Sequence, residues 1–362
     1  MDPNNSRPMS YDSLKILLQY AKPNLRFELS RRIPSIRLTE KAVPLRIDNL
    51  LIGGHGIHVN NSKYIVRTIR FFPPSGIVPR GRRFDYLTHD SEWDLDEWGF
   101  DDFSSETVFT PGDLVLQAQE HNHRQRIQNE SKKDLENRLK YVEWIIAKKS
   151  GENVESEWAG EAIDTVSINW MENSTVIELK SEVERIKIRL APYNCLENNV
   201  PLPFIKMVQV TVNSENGNLC WRYSGNRKCY EIRKQLITWL LGNWKPVIQV
   251  NYFTVINGII ARLPENLRIC IKKLNTTFLS ERTMVDINTM MNKLEAILQQ
   301  NHPLDVFETD SIGEDFDHPL ATTAKKLIIS EHSARFPDAN RLIRIPNQKM
   351  YIHAFMFAEQ NN

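Results

Sequence analysis

No stretch of this 362-residue chain approaches the roughly 18 consecutive apolar residues that suggest a membrane-spanning helix. The opening residues, Met1-Asp2-Pro3-Asn4-Asn5-Ser6, hold no apolar core of a secretory signal. Cysteine is scarce: Cys195, Cys220, Cys229 and Cys270 stand alone, with no Cys-x-x-Cys spacing. Without an export signal they are expected as reduced thiols, which makes a cytoplasmic or nuclear address the expectation. Asn173-Ser174-Thr175 is then a chance match to a glycosylation acceptor. Neither sign of charge prevails, with 46 Lys and Arg against 45 Asp and Glu, and this balance argues against nucleic acid or an anionic membrane as partner. The 41% hydrophobic and 25% charged content is ordinary for a globular chain. The length suits two or three domains of ~100–200 residues each.

Catalytic signatures are equally thin. Gly53-Gly54-His55-Gly56 follows a strand-like run but lacks the Lys and the following helix of a phosphate loop. His55 with His58, and His121 with His123, have no convergent Cys or Asp at metal spacing. There is no Gly-x-Ser-x-Gly elbow, and no cysteine has an evident partner base. Asp94, Asp96, Asp101 and Asp102 fall in an acidic run expected to be an exposed loop, where carboxylates are simply solvated. The expectation is a protein that is not an enzyme and takes no cofactor and no metal.

What the chain does have is a distinctive start. Ser10 can cap a helix in which Leu14, Leu17, Leu18 and Ala21 recur at i, i+3, i+4 and i+7. Ile16 and Tyr20, an i, i+4 pair, fall on another face of the same helix. Pro23 ends it. Leu25, Leu29 and Ile33 then form a second stripe, expected to pack against one face of the first helix. Pro34 closes the second helix, with Arg31 and Arg32 in the last turn where the dipole favours cations.

Beyond the hairpin, Pro44–Ile52 and Tyr64–Phe72 read as strands, with Asn60-Asn61 supplying turn residues between them. Arg80–Arg83 is basic. Glu92–Asp102 is acidic with Trp93, Trp98 and Phe100 interleaved, and these aromatics are expected to tuck inward. Thr110 is expected to cap a helical segment in which Leu135, Leu139, Val142 and Ile146 share a face, and Ser150–Ala162 reads as a loop. Ser167–Met171, Ser174–Leu179 and the alternating run Val183–Leu190 read as strands. Val208, Val210 and Val212 lead into Asn216-Gly217, a strong hairpin signal, and Leu219, Trp221 and Tyr223 return. Val210 and Trp221 should then share a buried layer, with Trp221→Ala costing about 3–5 kcal/mol. Ile232, Leu236, Trp239 and Leu240 mark a helix ending at Gly242. Val247–Val255 and Leu267–Ile271 are strands, and Thr283 with Asp286 opens a further helix. Short strands at Leu304–Phe307, Leu327–Ile329 and Met350–Ile352 recur at the interval of irregular leucine-rich-repeat-like units.

The order of Leu-rich helix, Pro-led turn and second helix ending in Arg and Ser resembles a divergent F-box. Over nearly the whole chain, Ser10-Tyr11-Asp12-Ser13-Leu14-Lys15, Pro34-Ser35-Ile36-Arg37, Val43-Pro44-Leu45-Arg46-Ile47 and Thr110-Pro111-Gly112-Asp113 resemble an expanded nematode family. That family has an F-box-like N-terminus followed by a domain of unknown function. The resemblance implies an adaptor that docks its hairpin on the linker subunit of a cullin-type ubiquitin ligase and presents a protein substrate on the remainder. Met9 and Ser10 stand where an F-box opens on Leu-Pro, and no Trp-Arg pair closes the motif; the second reading is therefore a stand-alone interaction or scaffold protein. The expected fold is α+β: a hairpin at 9–40, a β-rich domain at 41–190 with a helical segment near 111–149, and an α+β domain at 191–362. The expected partner-binding residues are Met9, Tyr11, Leu14, Ile16, Leu17 and Tyr20.

Overall fold

The computed structural model describes residues 9–54, 56–72, 89–91, 93–115, 131–152, 158, 160, 165–215, 217–224, 227–255, 260–276, 287–300, 302–309, 317–331 and 344–354. Several sequence readings lie outside these residues: His55, Arg80–Arg83, His121 and His123, most of Ser150–Ala162, Asn216, and the Thr283–Asp286 cap.

The chain opens with helix α1 (Tyr11–Tyr20), where the Ser10 hydroxyl accepts the Ser13 N–H at 3.2 Å. Pro23 takes the first position of α2 (Pro23–Arg32), where its missing N–H costs nothing. A 3-10 turn at Pro34–Ile36 leads into a third helix, α3 (Arg37–Ala42), so the expected hairpin is a three-helix module.

A meander follows: β1 (Arg46–Gly53), β2 (Gly56–Val59) and β3 (Ser62–Phe71). Asn60 turns β2 into β3 with a φ of 51°, a left-handed conformation that Asn tolerates well. Gly56 has no room for a side chain, because a Cβ there would stand 2.0 Å from the Tyr64 carbonyl oxygen. Short strands β4 (His89–Ser91), β5 (Asp94–Leu95), β6 (Asp101–Asp102) and β7 (Leu114–Val115) come next.

Helices α4 (Lys132–Lys149), α5 (Thr165–Asn173) and α6 (Val176–Asn198) build a side cluster around Leu135, Tyr141, Val142, Met171, Leu179 and Ile186. This corrects the three strands expected between Ser167 and Leu190. Thr175 and Glu178 form a full capping box, and Leu179, Val183, Ile186 and Leu190 then follow the helical period. The apparent alternation came from Ile188, which points to a different cluster, beside Phe72, Leu95 and Phe204.

The remainder consists of β8 (Ile205–Ser214), β9 (Gly217–Ser224), α7 (Cys229–Leu241), β10 (Ile248–Val255), β11 (Ile260–Ala261), β12 (Ile269–Asn275), α8 (Ile287–Leu294), β13 (Val306–Thr309), α9 (Pro319–Thr322), β14 (Lys326–Glu331) and β15 (Lys349–Ala354). An 11-stranded sheet runs β15-β14-β13-β12-β10-β1-β2-β3-β8-β9, with β4 also on β3. From β1 toward β15 every neighbour is parallel; from β1 toward β9 every neighbour is antiparallel. The boundary placed at 190/191 therefore runs through one continuous sheet, since β1 pairs with β10 and β3 with β8. Leu50, Phe253, Leu274, Phe307 and Leu327 align across the parallel strands and enter the main core with Ile237, Leu240 and Leu241 of α7.

Thr110 starts no helix. Its N–H and hydroxyl bond to Asp113 Oδ2 at 2.9 and 2.8 Å, closing a turn through Gly112 (φ 88°) that feeds β7. Gly242 does end α7, but with extended backbone (φ −81°) rather than a left-handed one. A Cβ there would stand 2.5 Å from the Thr238 carbonyl oxygen, and Asn243 takes the positive φ instead.

Candidate docking surface

The helical module is fixed to the sheet by its least expected residues. Phe27 of α2 is buried in the main core with its ring 6.1 Å from that of Trp239. Arg26 is also buried. It donates to the carbonyls of Pro44 at 2.7 Å, Glu40 at 2.8 Å and Val43 at 3.1 Å, and its guanidinium lies over Trp244. Lys41 of α3 donates to the carbonyls of Trp239 and Leu240 at 3.1 and 3.0 Å, and so satisfies free acceptors in the last turn of α7. Its ammonium also lies 4.2 Å from the centre of the Trp244 ring.

Burial sets the electrostatics of this joint. Desolvation lowers Lys41 to about 7 against the pull of Glu40, and raises the Glu40 carboxyl against Lys41 and Arg26. On the outer side Arg31 and Arg32 both bond Glu28, and the Arg31 hydrogen bond is the main reason that carboxyl falls to about 2.

Of the Leu25, Leu29 and Ile33 stripe expected to brace α1, only Leu29 is partly covered, which corrects the expected packing at the other two positions. Pro23, Arg26, Phe27 and Ser30 are the buried side of α2, and Leu25 and Ile33 are exposed. An apolar-only reading assigned the wrong face because an arginine occupies the inner one. In α1, Leu18 is buried, Leu14 half-buried and Leu17 exposed.

Of the expected partner-binding residues, Ile16 is 59% and Tyr20 83% exposed on one side of α1. Met9, Tyr11 and Leu17 are also exposed, with the Lys15 ammonium over the Tyr11 ring. Leu14 alone of the six turns partly inward. The structure adds Leu25, Ile33 and Leu38 to this surface, Leu38 being 86% exposed. Its signal was available as the one large apolar side chain in Arg37-Leu38-Thr39-Glu40-Lys41-Ala42.

The acidic run is not the exposed loop expected. Asp94 is buried, and its carboxylate accepts the Cys229 N–H at the start of α7. Asp96 accepts the N–H groups of Trp98 and Phe100, and Asp102 pairs with Lys228 at 2.8 Å. The interleaved aromatics do turn inward: Trp93 meets Phe103 and Phe100 meets Tyr193 edge-on. Asp113 is buried between Lys234 and Arg262, at 2.8 and 2.7 Å, which ties β7 to α7 and β11. Cys195, Cys220, Cys229 and Cys270 are free thiols. Among the described residues no group of three or more His, Cys, Asp or Glu could hold a metal ion, and no helix is long and apolar enough to cross a membrane.

Fold and surface together define an α+β protein whose mixed sheet carries an anchored helical module with an exposed apolar face. A family model described as a domain of unknown function (DUF3557) matches residues 228–361, from α7 through the parallel half of the sheet. No curated protein and no solved structure matches the chain.

Proposed function

We propose that the chain is an F-box-like adaptor, in which the helical module docks on the linker subunit of a cullin-type ubiquitin ligase and the sheet-bearing body presents a protein substrate. One observation carries this reading: Ile16 and Tyr20 face solvent on a module whose opposite side is held by Phe27, Arg26 and Lys41. An apolar face this exposed on an anchored element is the form that helix-in-groove recognition takes. The match over residues 228–361 fits the domain of unknown function that the resemblance places after the F-box-like start. The parallel succession of β13, β14 and β15 supports a repeat-like reading of that region. Free thiols fit a cytoplasmic or nuclear address.

Ile16→Asp with Tyr20→Asp should leave the body folded and abolish co-purification with the purified linker subunit, because each charge would be desolvated in an apolar groove. Wild-type protein that fails to bind the linker ends the adaptor reading. The second reading, a stand-alone scaffold, is favoured by the opening Met9-Ser10 and the missing Trp-Arg pair. It predicts that outcome, with the same face serving another protein.

A further inference from the structure

Residues 9–42 hold seven Lys and Arg against three Asp and Glu, in a chain whose totals are 46 and 45. The excess persists at the surface, because Arg26, Lys41 and Glu40 are buried. Lys15, Lys22, Arg31, Arg32 and Arg37 then stand against Asp12 and Glu28. Glu28 is bonded to both Arg31 and Arg32, a trio that keeps one net positive charge. Lys22 and Arg32 are exposed, and Lys15 and Arg37 are half-exposed. The Lys15 ammonium lies over the Tyr11 ring, and helical spacing sets two other cations on the side of exposed apolar residues. Lys22 follows Tyr20 across the turn, and Arg32 lies two turns from Leu25 on the same outward side of α2. The apolar face therefore has a basic rim, while the rest of the chain carries a net negative charge.

A lipid surface fits this pattern poorly. Asp12 and Ile16 are an i, i+4 pair on the outward side of α1, so seating Ile16 among lipids would bring Asp12 against anionic headgroups. The exposed apolar residues are also spread over three short helices rather than one long stripe. Resting on the adaptor reading for the choice of face, we propose that the occupant is a separate protein whose apolar groove is bordered by Asp and Glu side chains that meet Lys22 and Arg32. Rim charges of this kind mainly set association rate and partner choice, and the apolar centre supplies the affinity.

The test uses the full chain and two synthetic helical-hairpin peptides whose paired helices form the same leucine-lined groove, one bordered by Glu and the other by Lys, titrated by fluorescence anisotropy. The Glu-flanked peptide should bind about tenfold tighter or better, as two or more rim pairs would give. That preference should shrink to within about threefold when NaCl is raised from about 50 to 500 mM, where screening is strong. Lys22→Glu with Arg32→Glu should abolish the preference. Both side chains are exposed, and the milder Lys22→Gln with Arg32→Gln pair, checked by circular dichroism, guards against a folding defect. Equal affinities, a preference for Lys, or no binding of either peptide overturns the proposal. So does flotation with phosphatidylserine vesicles that Lys22→Glu with Arg32→Glu abolishes, since a lipid surface would then be the occupant. Linker co-purification is scored separately. Peptide preference without linker binding keeps this inference and ends the adaptor reading; salt-independent linker binding without peptide preference does the reverse.

Discussion

The Asp94 carboxylate accepts the backbone N–H of Cys229 at 2.6 Å, joining positions 135 residues apart in the chain. A side chain from the acidic run thereby caps the helix at which the family match begins. Asp94 is buried, and desolvation raises its carboxyl above the usual range despite that bond. Asp94→Ala should destabilise by about 1–2 kcal/mol in urea denaturation, as lost helix caps do. Asp94→Asn keeps the acceptor oxygen and removes a buried charge, so it should cost less. An Asn variant as damaged as the Ala variant would count against the capping role.

Asp113 receives the buried Arg262 and the half-buried Lys234, and its removal leaves both cations without an anionic partner. Asp113→Ala should cost about 3–5 kcal/mol, the range for breaking a buried ion pair from one side. Arg262→Met should be milder, because Lys234 still neutralises the carboxylate. Equal losses in chemical denaturation would contradict this ordering.

Trp221 pairs with Val210 across β8 and β9, as the hairpin register requires, yet it is only half-buried, with Arg31 of α2 over its ring at 5.6 Å. Trp221→Ala should therefore cost roughly 2 kcal/mol, below the core range expected from sequence. A loss near 5 kcal/mol would mean that the module depends on this ring far more than its burial suggests.

Lys41 gives the module a pH-dependent joint. Its folded pKa is about 7, against 10.5 for the free group. Between those values the unfolded chain binds more protons, so the Lys41 contribution to stability rises with pH; below about 7 the cost of the buried charge is borne in full. The neutral amine keeps two N–H donors, enough for Trp239 and Leu240. Glu40 acts oppositely: its carboxyl is raised by burial, so its contribution falls as pH climbs from the ordinary carboxylate range to its folded pKa. Melting temperatures of wild type and Lys41→Met should diverge in wild type's favour from about pH 7 to 9.5 and run parallel below about 6. A constant difference across the alkaline range would remove the linkage.

All four thiols should titrate with a disulfide reagent in denaturant without reductant. Mass spectrometry finding a native Cys220–Cys229 bridge would contradict this and the compartment reading.

The sequence was most legible where one residue type suffices to fix a backbone conformation. Asn60 turns β2 into β3, and the β8–β9 hairpin closes at Gly217 with a φ of 115°. The exposure of Ile16 and Tyr20 was legible from helical spacing. The inner face of α2 was not, because Arg26 is buried by three carbonyl acceptors that come from residues 14 to 18 positions away. Ile186, Ile188 and Leu190 misled for a different reason: local alternation matches a strand, and only the Thr175–Glu178 box upstream separates the two. The acidic run was misjudged because the N–H groups and Lys228 that neutralise it lie in a distant helix.

The pairing of β1 with β10 also has a consequence during synthesis. Arg46 lies opposite Gln249, so the parallel edge of β1 has no partner until some two hundred further residues have been made. At about 5–20 residues per second that interval is on the order of 10–40 s. Until β8 is made, roughly 140 residues after β3, the nascent β1–β2–β3 meander is open at both edges, and its β1 edge and the apolar face that α7 covers stay open longer still. The N-terminal module is emitted first, yet the carbonyls that hold Lys41 belong to α7. Until α7 emerges, the exposed apolar residues of the module are present before the carbonyls that anchor it.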